Sequence, residues 1–287
     1  MTVRVITATP MVGAEIRGVH IAPDLDESII GDIIAALHAH SVIFLRDQEI
    51  GSAQFLALSR HLGSAMTFSQ ASLNLPDWPE ITRLSNILVD GEPIGLLESG
   101  QYWHTDRSFH TVPQGYAMLY AIEIPRDGRG LTLGDTIFVS TAHAYDTLPT
   151  DVKARIGGLR AIHSYQNPRK KQLSPGRDAL IRLDDHHKPP VSHPVVRSHP
   201  VTGRKCLYVN QQYCMGIEGM NDDEGRELID DLCRHITREE AQYRHRWAEG
   251  DLLIWDDCAI QHCAVGDYNL PQRRLIHRIG IQGTAPS

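Results

Sequence analysis

Apolar residues recur every three or four positions in several stretches of this chain, which is the spacing of one helix face. The clearest stretch runs from Asp26 to His40, where isoleucines and a leucine line one side. The same spacing predicts helices over 52–62, with Ser52 as the N-cap, over 141–159, and over 222–238, with an aspartate cap. The pattern therefore predicts amphipathic helices that are separated by other elements.

Short runs of apolar and β-branched residues between these helices predict strands. The expected strands lie over 3–21, over 41–46 and from 248 to the end. Residues 191–210 predict a hairpin that turns at Pro200-Val201-Thr202-Gly203. The predicted fold is mainly β with flanking helices, in a single domain over 1–287.

Two long stretches show neither the apolar spacing of a helix nor the apolar runs of strands. Residues 64–102 are irregular apart from a predicted strand over 80–85, and residues 163–190 are rich in proline and charge. Long irregular segments of compact domains are usually functional, so we expect the first at a pocket mouth and the second as a lid. His186-His187 lacks the carboxylate or cysteine spacing that would support a second metal site.

Composition and charge narrow the class of protein. The 287 residues are 41% hydrophobic and carry a net charge of −7, which allows a large core and disfavours broad nucleic-acid binding. The five cysteines form no C-x-x-C pair and no leader sequence is recognised, which predicts a cytoplasmic protein. No apolar run approaches the roughly 20 residues that span a bilayer, so no membrane association is expected.

The strongest chemical signal is His104-Thr105-Asp106, followed much later by His262. Two imidazoles and one carboxylate can occupy one face of an octahedral metal ion and leave three adjacent positions open. Because residues i and i+2 of a strand point to the same side, one rigid element could supply His104 and Asp106. A barrel that closes on itself would bring His262 to them. The pattern predicts these three residues as metal ligands and catalytic residues.

A second signal lies beyond the last of these histidines. Polar and apolar residues alternate in the segment 274–278, so Arg274 and Arg278 share one face of a predicted strand. Two arginines that point the same way near a metal predict a wall that binds anions.

Several motifs occur in a fixed order from Gly13 to Gly283. They are Trp-His-Thr-Asp at 103–106, Gly-Asp-Thr at 134–136, Gly-Asp-Leu-Leu-Ile-Trp-Asp at 250–256, Gln-His at 261–262 and Asp-Tyr-Asn-Leu-Pro-Gln-Arg-Arg-Leu-Ile-His-Arg at 267–278. This order resembles the taurine and 2,4-dichlorophenoxyacetate dioxygenase family of iron(II)- and 2-oxoglutarate-dependent oxygenases. The resemblance implies a double-stranded β-helix, or jelly-roll, core, and the predicted placement of helices outside the strands fits such a core.

The resemblance also implies roles for individual residues. His104, Asp106 and His262 would bind iron(II). Thr136 and Arg274 would bind the distal carboxylate of 2-oxoglutarate, with dioxygen as the second cosubstrate. Arg278 matches a position that contacts an anionic substrate group in the taurine-specific member, and support of the cosubstrate or of the barrel floor is its alternative role. Members often assemble as dimers or tetramers, so a homo-oligomer is expected.

Two departures weaken the match to taurine itself. Gly100 stands where the taurine enzymes have an asparagine, and residues 67–75 lack their histidine and tyrosine pattern. We therefore expect a different small anionic substrate, with Tyr102, Phe109 and Trp255 as apolar walls of its pocket.

The expected activity is the oxidation of a C–H bond in a small acidic substrate, with release of succinate and carbon dioxide. Hydroxylation is the first expectation, and the carboxylate at Asp106 favours oxygenation over halogenation, which in related enzymes needs a small residue there. Desaturation, ring formation and oxidative cleavage remain open with the same cofactors. Two other classes also remain open, a zinc or iron hydrolase with a metal-bound water and a non-catalytic jelly-roll binding protein.

Overall fold

Strands exceed helices in the part of the chain that the computed structural model describes, which is residues 2–23, 25–68, 70–96, 100–168 and 188–287. The helices are α1 (Glu27–His40), α2 (Ser52–Arg60), α3 (Thr141–Asp146), α4 (Thr150–Ile156) and α5 (Asp222–Ile236), with 3-10 turns at Ala71–Leu73 and Glu239–Ala241. The strands of the first half are β1 (Arg4–Thr7), β2 (Ala14–Arg17), β3 (Val42–Leu45), β4 (Ala65–Met66), β5 (Asn74–Leu75), β6 (Trp78–Ser85), β7 (Leu88–Val89), β8 (Glu92–Pro93), β9 (Gln114–Glu123) and β10 (Thr136–Ser140). Those of the second half are β11 (Arg160–His163), β12 (Val191–Pro194), β13 (Val196–Ser198), β14 (Lys205–Leu207), β15 (Cys214–Ile217), β16 (Gln242–His245), β17 (Leu252–Asp256), β18 (Ile260–Ala264) and β19 (Leu275–Gln282).

The largest sheet contains strands from both ends of the chain. Its order is β1-β2-β3-β17-β9-β19-β6-β5, with β4 paired to β19. A smaller sheet of order β16-β10-β18 packs against it, and further small sheets are β12-β11-β15, β13-β14 and β7-β8. The prediction of a mainly β chain with flanking helices is confirmed.

Strand β17 shows how the large sheet is covered on both faces. All five of its residues are buried, because successive side chains point to opposite sides and both sides are occupied. Leu252 and Ile254 pack in the cluster that contains residues of α1 and α2. Leu253 and Trp255 pack in the cluster that also contains Phe138 of the smaller sheet. The second cluster therefore fills part of the space between the two sheets. The candidate site lies in the same space.

The amphipathic helices follow the predicted spacing, although their caps differ from prediction. Helix α1 begins after Asp26, whose side chain accepts a hydrogen bond from Ser28 N, and it buries Ile30, Ile33, Ala36 and Leu37. The N-cap of α2 is Gly51 and not Ser52. The N-cap of α5 is Asn221, whose side chain accepts from Asp223 N, and not an aspartate.

The single helix predicted over 141–159 is wrong. The structure has α3 and α4, and Pro149 lies between them as the N-cap of α4. Proline disfavours helical geometry in the residue before it, here Leu148, so the first helix must end and a second one begin. The apolar spacing continues across the break, which explains why the pattern indicated one helix.

The remaining loops are more ordered than predicted where the structure describes them. The hairpin over 191–210 is confirmed, since β13 and β14 pair on either side of the turn at 200–203. Residues 64–96 contain β4 to β8, of which β6 confirms the predicted strand over 80–85. His186-His187 and most of the segment 163–190 lie outside the described residues. Within the described ranges, no helix is long and apolar enough to cross a membrane.

Candidate active site

One backbone bridge brings the two candidate histidine ligands together. His104 N donates to His262 O at 3.1 Å, and His262 N donates to His104 O at 2.9 Å. His262 belongs to β18, whereas His104 forms only this isolated bridge and Asp106 lies in the following turn. The prediction that His104 and Asp106 share a strand is therefore wrong, because the chain turns directly after the bridge.

The turn nevertheless places all three predicted ligands in one cluster. One ligand atom from each of His104, Asp106 and His262 lies within 4.8 Å of the others. Nε2 of His104 is 3.5 Å from Oδ1 of Asp106, and the two imidazole rings are 4.2 Å apart between centroids. This arrangement offers two nitrogens and one oxygen to a single ion.

The surroundings of the two histidines suit metal binding. Nδ1 of His104 lies 2.8 Å from the carbonyl oxygen of Tyr102, and because a carbonyl only accepts, Nδ1 carries a proton and Nε2 is the ring nitrogen that a metal could bind. Burial, together with the positive charges of His104 and Arg278, lowers the pKa of His262 to about 3. Nδ1 of His262 is buried and makes no hydrogen bond with any described residue.

Asp106 is held in its ionised form. Burial alone would raise its pKa, but the charge of Arg278 and the hydrogen bond with His104 outweigh it and keep the pKa well below the usual range. Nη2 of Arg278 donates to Oδ2 of Asp106 at 2.8 Å, and Nε2 of Gln114 donates to the same oxygen at 2.9 Å. Oδ2 is thus occupied by protein donors while Oδ1 faces His104.

A second carboxylate lies beside Asp106. Burial and the negative charge of Asp106 raise the pKa of Asp257 well above its usual range. Its side chain accepts hydrogen bonds from Trp255 Nε1 at 3.1 Å and from Gln114 Nε2 at 2.7 Å. The difference in pKa places the negative charge on Asp106, the residue that faces the histidines.

Arg274 is a buried cation in the same cavity. It is 7% exposed, its Nε makes no hydrogen bond, and it forms no ion pair with any described residue. Its guanidinium carbon lies 5.7 Å from the centre of the Tyr268 ring, and burial lowers its pKa. A Cβ built on Gly134 would lie 3.1 Å from Arg274 Nε, so the Gly-Asp-Thr motif packs directly against this arginine. Such a cation is suited to an anionic ligand.

Thr136 lines the same cavity from β10. Its Oγ1 accepts a hydrogen bond from Trp247 Nε1 at 3.1 Å. Because the hydroxyl group uses its oxygen as the acceptor there, its own hydrogen can point elsewhere. The pair of Thr136 and Arg274 therefore offers both a hydroxyl donor and a guanidinium to one ligand.

The cavity around these groups contains every residue predicted for the site. Its walls include the three candidate metal ligands, Thr136, Arg274, Arg278, Tyr102, Phe109 and Trp255. The segment 64–102 contributes Phe68, Thr82, Leu84, Leu96 and Gly100 as well. The lid predicted for 163–190 stays a prediction, because 169–187 lie outside the described residues.

Sequence reasoning missed several residues of the cavity and its surroundings. Tyr165 and Tyr213 form a buried aromatic cluster with Phe109, at 5.1 and 4.7 Å between ring centroids. Asp257 directly follows the motif at 250–256 and was not predicted for the site. Gln114 carried no motif signal at all.

Comparison with known proteins adds the family. The family model described as taurine catabolism dioxygenase TauD, TfdA family matches residues 3–279. The chain is 31% identical over 281 residues to an alpha-ketoglutarate-dependent 2,4-dichlorophenoxyacetate dioxygenase of Cupriavidus pinatubonensis, covering 94% of each chain. It is 33% identical over 283 residues to an alpha-ketoglutarate-dependent sulfate ester dioxygenase of Pseudomonas putida, covering 96% of this chain and 88% of that protein.

Solved structures agree with the sequence relatives. A taurine dioxygenase from Burkholderia xenovorans superposes with a TM-score of 0.82 at 28% identity, covering 100% of this chain and 91% of the other. AAD-2 in complex with Mn(II) and N-oxalylglycine superposes with a TM-score of 0.80 at 27% identity, covering 100% and 99%. The predicted jelly-roll core and the predicted family are both confirmed. The chain belongs to the TauD/TfdA family of alpha-ketoglutarate-dependent dioxygenases.

Proposed function

We propose that this dioxygenase hydroxylates a C–H bond of a small anionic organic substrate and releases succinate and carbon dioxide. The observation that carries the proposal is the meeting, in one cavity, of a two-histidine, one-carboxylate cluster and the buried cation Arg274, which forms no ion pair with any described residue. Iron(II), when bound with 2-oxoglutarate, supplies the activation of dioxygen. Desaturation, ring formation and oxidative cleavage are the alternative outcomes of the same cofactors.

The metal would be held by His104, Asp106 and His262. His104 presents Nε2, burial keeps His262 neutral, and Asp106 is ionised, which are forms that suit a metal ligand. A set of three protein ligands leaves three positions of an octahedral ion for small molecules.

The distal carboxylate of 2-oxoglutarate would be bound by Arg274 and Thr136. The planar guanidinium of Arg274 can donate two parallel hydrogen bonds to one carboxylate, and the Thr136 hydroxyl can add a third. Trp247 supports this role because its donation to Thr136 Oγ1 leaves the hydroxyl hydrogen free.

The anionic group of the substrate would be bound by Arg278. Among the described residues it donates hydrogen bonds to Asp106 and Gln114, and both come from Nη2, so Nη1 and Nε can donate to a ligand. Tyr102 and Phe109 would contact the apolar body of the substrate. Two relatives act, by their names, on an aryloxyacetate and on sulfate esters, which also carry negative charge.

Location and assembly are also proposed. No disulfide links any of the five cysteines, all of which lie among the described residues, and this supports a reducing compartment, the cytoplasm. A homodimer or homotetramer is expected from the family resemblance, and light scattering of the purified protein would measure it. A monomer at micromolar concentration would contradict that expectation.

An anaerobic visible spectrum tests the central proposal. Iron(II) and then 2-oxoglutarate are added to the metal-free protein, and chelation of the keto acid to iron(II) is expected to produce a weak charge-transfer band. Arg274→Ala is expected to lose the band at limiting 2-oxoglutarate. The matched control is Arg273→Ala, which removes the neighbouring arginine whose partner is the surface residue Glu123. Metal binding without a band in the unchanged protein would contradict the proposal and favour the hydrolase or binding-protein alternatives.

A further inference from the structure

Gln114 lies at the centre of a buried polar group behind the candidate metal ligands. It is the first residue of β9 and is 1% exposed. Its amide nitrogen donates to Asp106 Oδ2 at 2.9 Å and to Asp257 Oδ2 at 2.7 Å, and its amide oxygen accepts from Arg278 Nη2 at 2.8 Å. One side chain thus contacts the metal carboxylate, a second carboxyl group and the arginine of the cavity.

The orientation of this amide is determined by its partners. The NH2 group of Gln114 points to the facing oxygens of Asp106 and Asp257 and donates to both. Arg278 can only donate, so the amide oxygen must point to it. Both N–H groups and the oxygen of the amide thus have a partner, and the flipped orientation would place the NH2 donors against the donors of Arg278.

The two carboxylate oxygens of Asp106 have different partners. Oδ2 accepts from Gln114 and Arg278, whereas Oδ1 faces His104 Nε2 at 3.5 Å. Rotation of the carboxylate toward a two-oxygen contact with a metal would break both hydrogen bonds. The side chain is therefore prepared to offer one oxygen.

Asp257 holds the other side of this group. Its Oδ1 accepts from Trp255 Nε1 at 3.1 Å and from the backbone N of Asp106 at 3.3 Å. The same carboxyl group that orients Gln114 therefore also restrains the backbone of the turn that carries Asp106. Both Gln114 and Asp257 are almost fully buried, so water does not replace these contacts.

The backbone opposite leaves room for this arrangement. A Cβ on Gly280 of β19 would collide with Gln114 Oε1 and would lie 3.5 Å from Arg278 Nη1. The absence of a side chain at Gly280 is what allows Gln114 and Arg278 to meet behind Asp106.

We propose that Gln114, oriented by Asp257, is a positioning residue that holds Asp106 as a single-oxygen metal ligand and joins it to Arg278. The inference rests on the proposed function only in taking Asp106 as a metal ligand. Side chains that hydrogen-bond to a metal ligand commonly contribute to metal affinity, and their removal lowers that affinity by about 10- to 100-fold.

The test measures binding of Co(II), which is stable in air, to the metal-free full-length protein by calorimetry and by its visible spectrum. Gln114→Met keeps the length of the side chain and removes all three hydrogen bonds. We expect its Co(II) dissociation constant to rise by about 10-fold or more, with a changed spectrum. Gln114→Glu is a second variant of the same size, and it replaces the NH2 donors by an oxygen that faces two carboxyl groups. Gln114→Glu is expected to weaken the binding of Co(II) at least as much as Gln114→Met does.

Gln48→Met is the matched control. Gln48 is 3% exposed and its amide is also fully used, since it accepts from Ile21 N and donates to Arg46 O and Val19 O, away from the cavity. Its loss is expected to lower stability and to leave Co(II) affinity unchanged. An equal loss of affinity in Gln48→Met would assign the effect to general destabilisation and overturn the proposal.

A double-mutant cycle tests whether Gln114 and Asp257 act on metal binding together or independently. If Gln114 and Asp257 act together, Gln114→Met combined with Asp257→Asn weakens Co(II) about as much as either change alone. Co(II) affinity within about twofold of the unchanged protein in both Gln114 variants would overturn the positioning role while the proposed function stands. Failure of the unchanged protein to bind Co(II) would overturn the proposed metal site itself.

Discussion

Arg278 donates a hydrogen bond from Nη2 to Oδ2 of Asp106 at 2.8 Å, although the two residues are 172 positions apart. The cation expected to meet the substrate therefore touches the carboxylate expected to hold the metal. Because each group stabilises the charge of the other, a substitution at either position will change both substrate binding and metal binding.

Asp106→Ala is expected to abolish coupled turnover. The change removes one of three metal ligands and leaves Arg278 without its carboxylate partner. The measurement compares product formed with succinate formed at saturating 2-oxoglutarate. Full hydroxylation in the variant would remove Asp106 from the ligand set.

Arg278→Leu is expected to raise the substrate KM far more than the KM for 2-oxoglutarate. Charge-assisted hydrogen bonds contribute about 1.5–3 kcal/mol, so an increase of roughly 10- to 100-fold is expected. Arg278→Lys, which keeps the charge, should show a smaller increase. Equal changes in both KM values would favour the alternative that Arg278 only supports Asp106 and the cosubstrate.

Thr136→Val is expected to weaken the binding of 2-oxoglutarate and to destabilise the fold. The change removes the hydroxyl donor to the cosubstrate and leaves the buried Trp247 N–H without its acceptor, which costs about 1–3 kcal/mol. Steady-state kinetics and urea unfolding measure the two effects, with Thr136→Ser as the control that keeps the hydroxyl. An unchanged KM for 2-oxoglutarate in Thr136→Val would exclude this residue from the cosubstrate site.

The buried His163 is expected to make the folded protein less stable in acid. It is fully buried among Ser108, His193, Tyr208 and Cys214, and burial, with the charge of His193, lowers its pKa to about 3. An unfolded histidine has a pKa of about 6.5, so the unfolded chain binds this proton first as the pH falls. The contribution of neutral His163 is complete above pH 6.5 and is lost as the pH falls toward 3.

The test compares the free energy of unfolding of the metal-free protein between pH 7 and pH 4. His163→Phe keeps an aromatic ring beside Tyr208 but cannot titrate, so its free energy of unfolding should fall less steeply with acid. Parallel curves for the two proteins would show that His163 already accepts its proton in the folded state.

Local elements were predictable where short-range spacing decides them. The helix after Asp26 and the hairpin at 200–203 formed as expected, because side-chain periodicity and turn residues act over a few positions. The prediction failed at Pro149, which splits a continuous apolar pattern, and at Asp106, where a turn replaces the expected strand. In both places the backbone changes direction while the side-chain pattern continues.

By itself the sequence determined the types of chemical group at the site, since two histidines, one aspartate and two arginines occur in motifs that can be read without coordinates. Only the tertiary structure decided how those groups contact each other. Gln114 meets Asp106, Asp257 and Arg278 across separations of 8, 143 and 164 residues, and no local spacing encodes such contacts. They exist because strands from distant parts of the chain pair in one sheet and bury their polar side chains together, where each must find a partner.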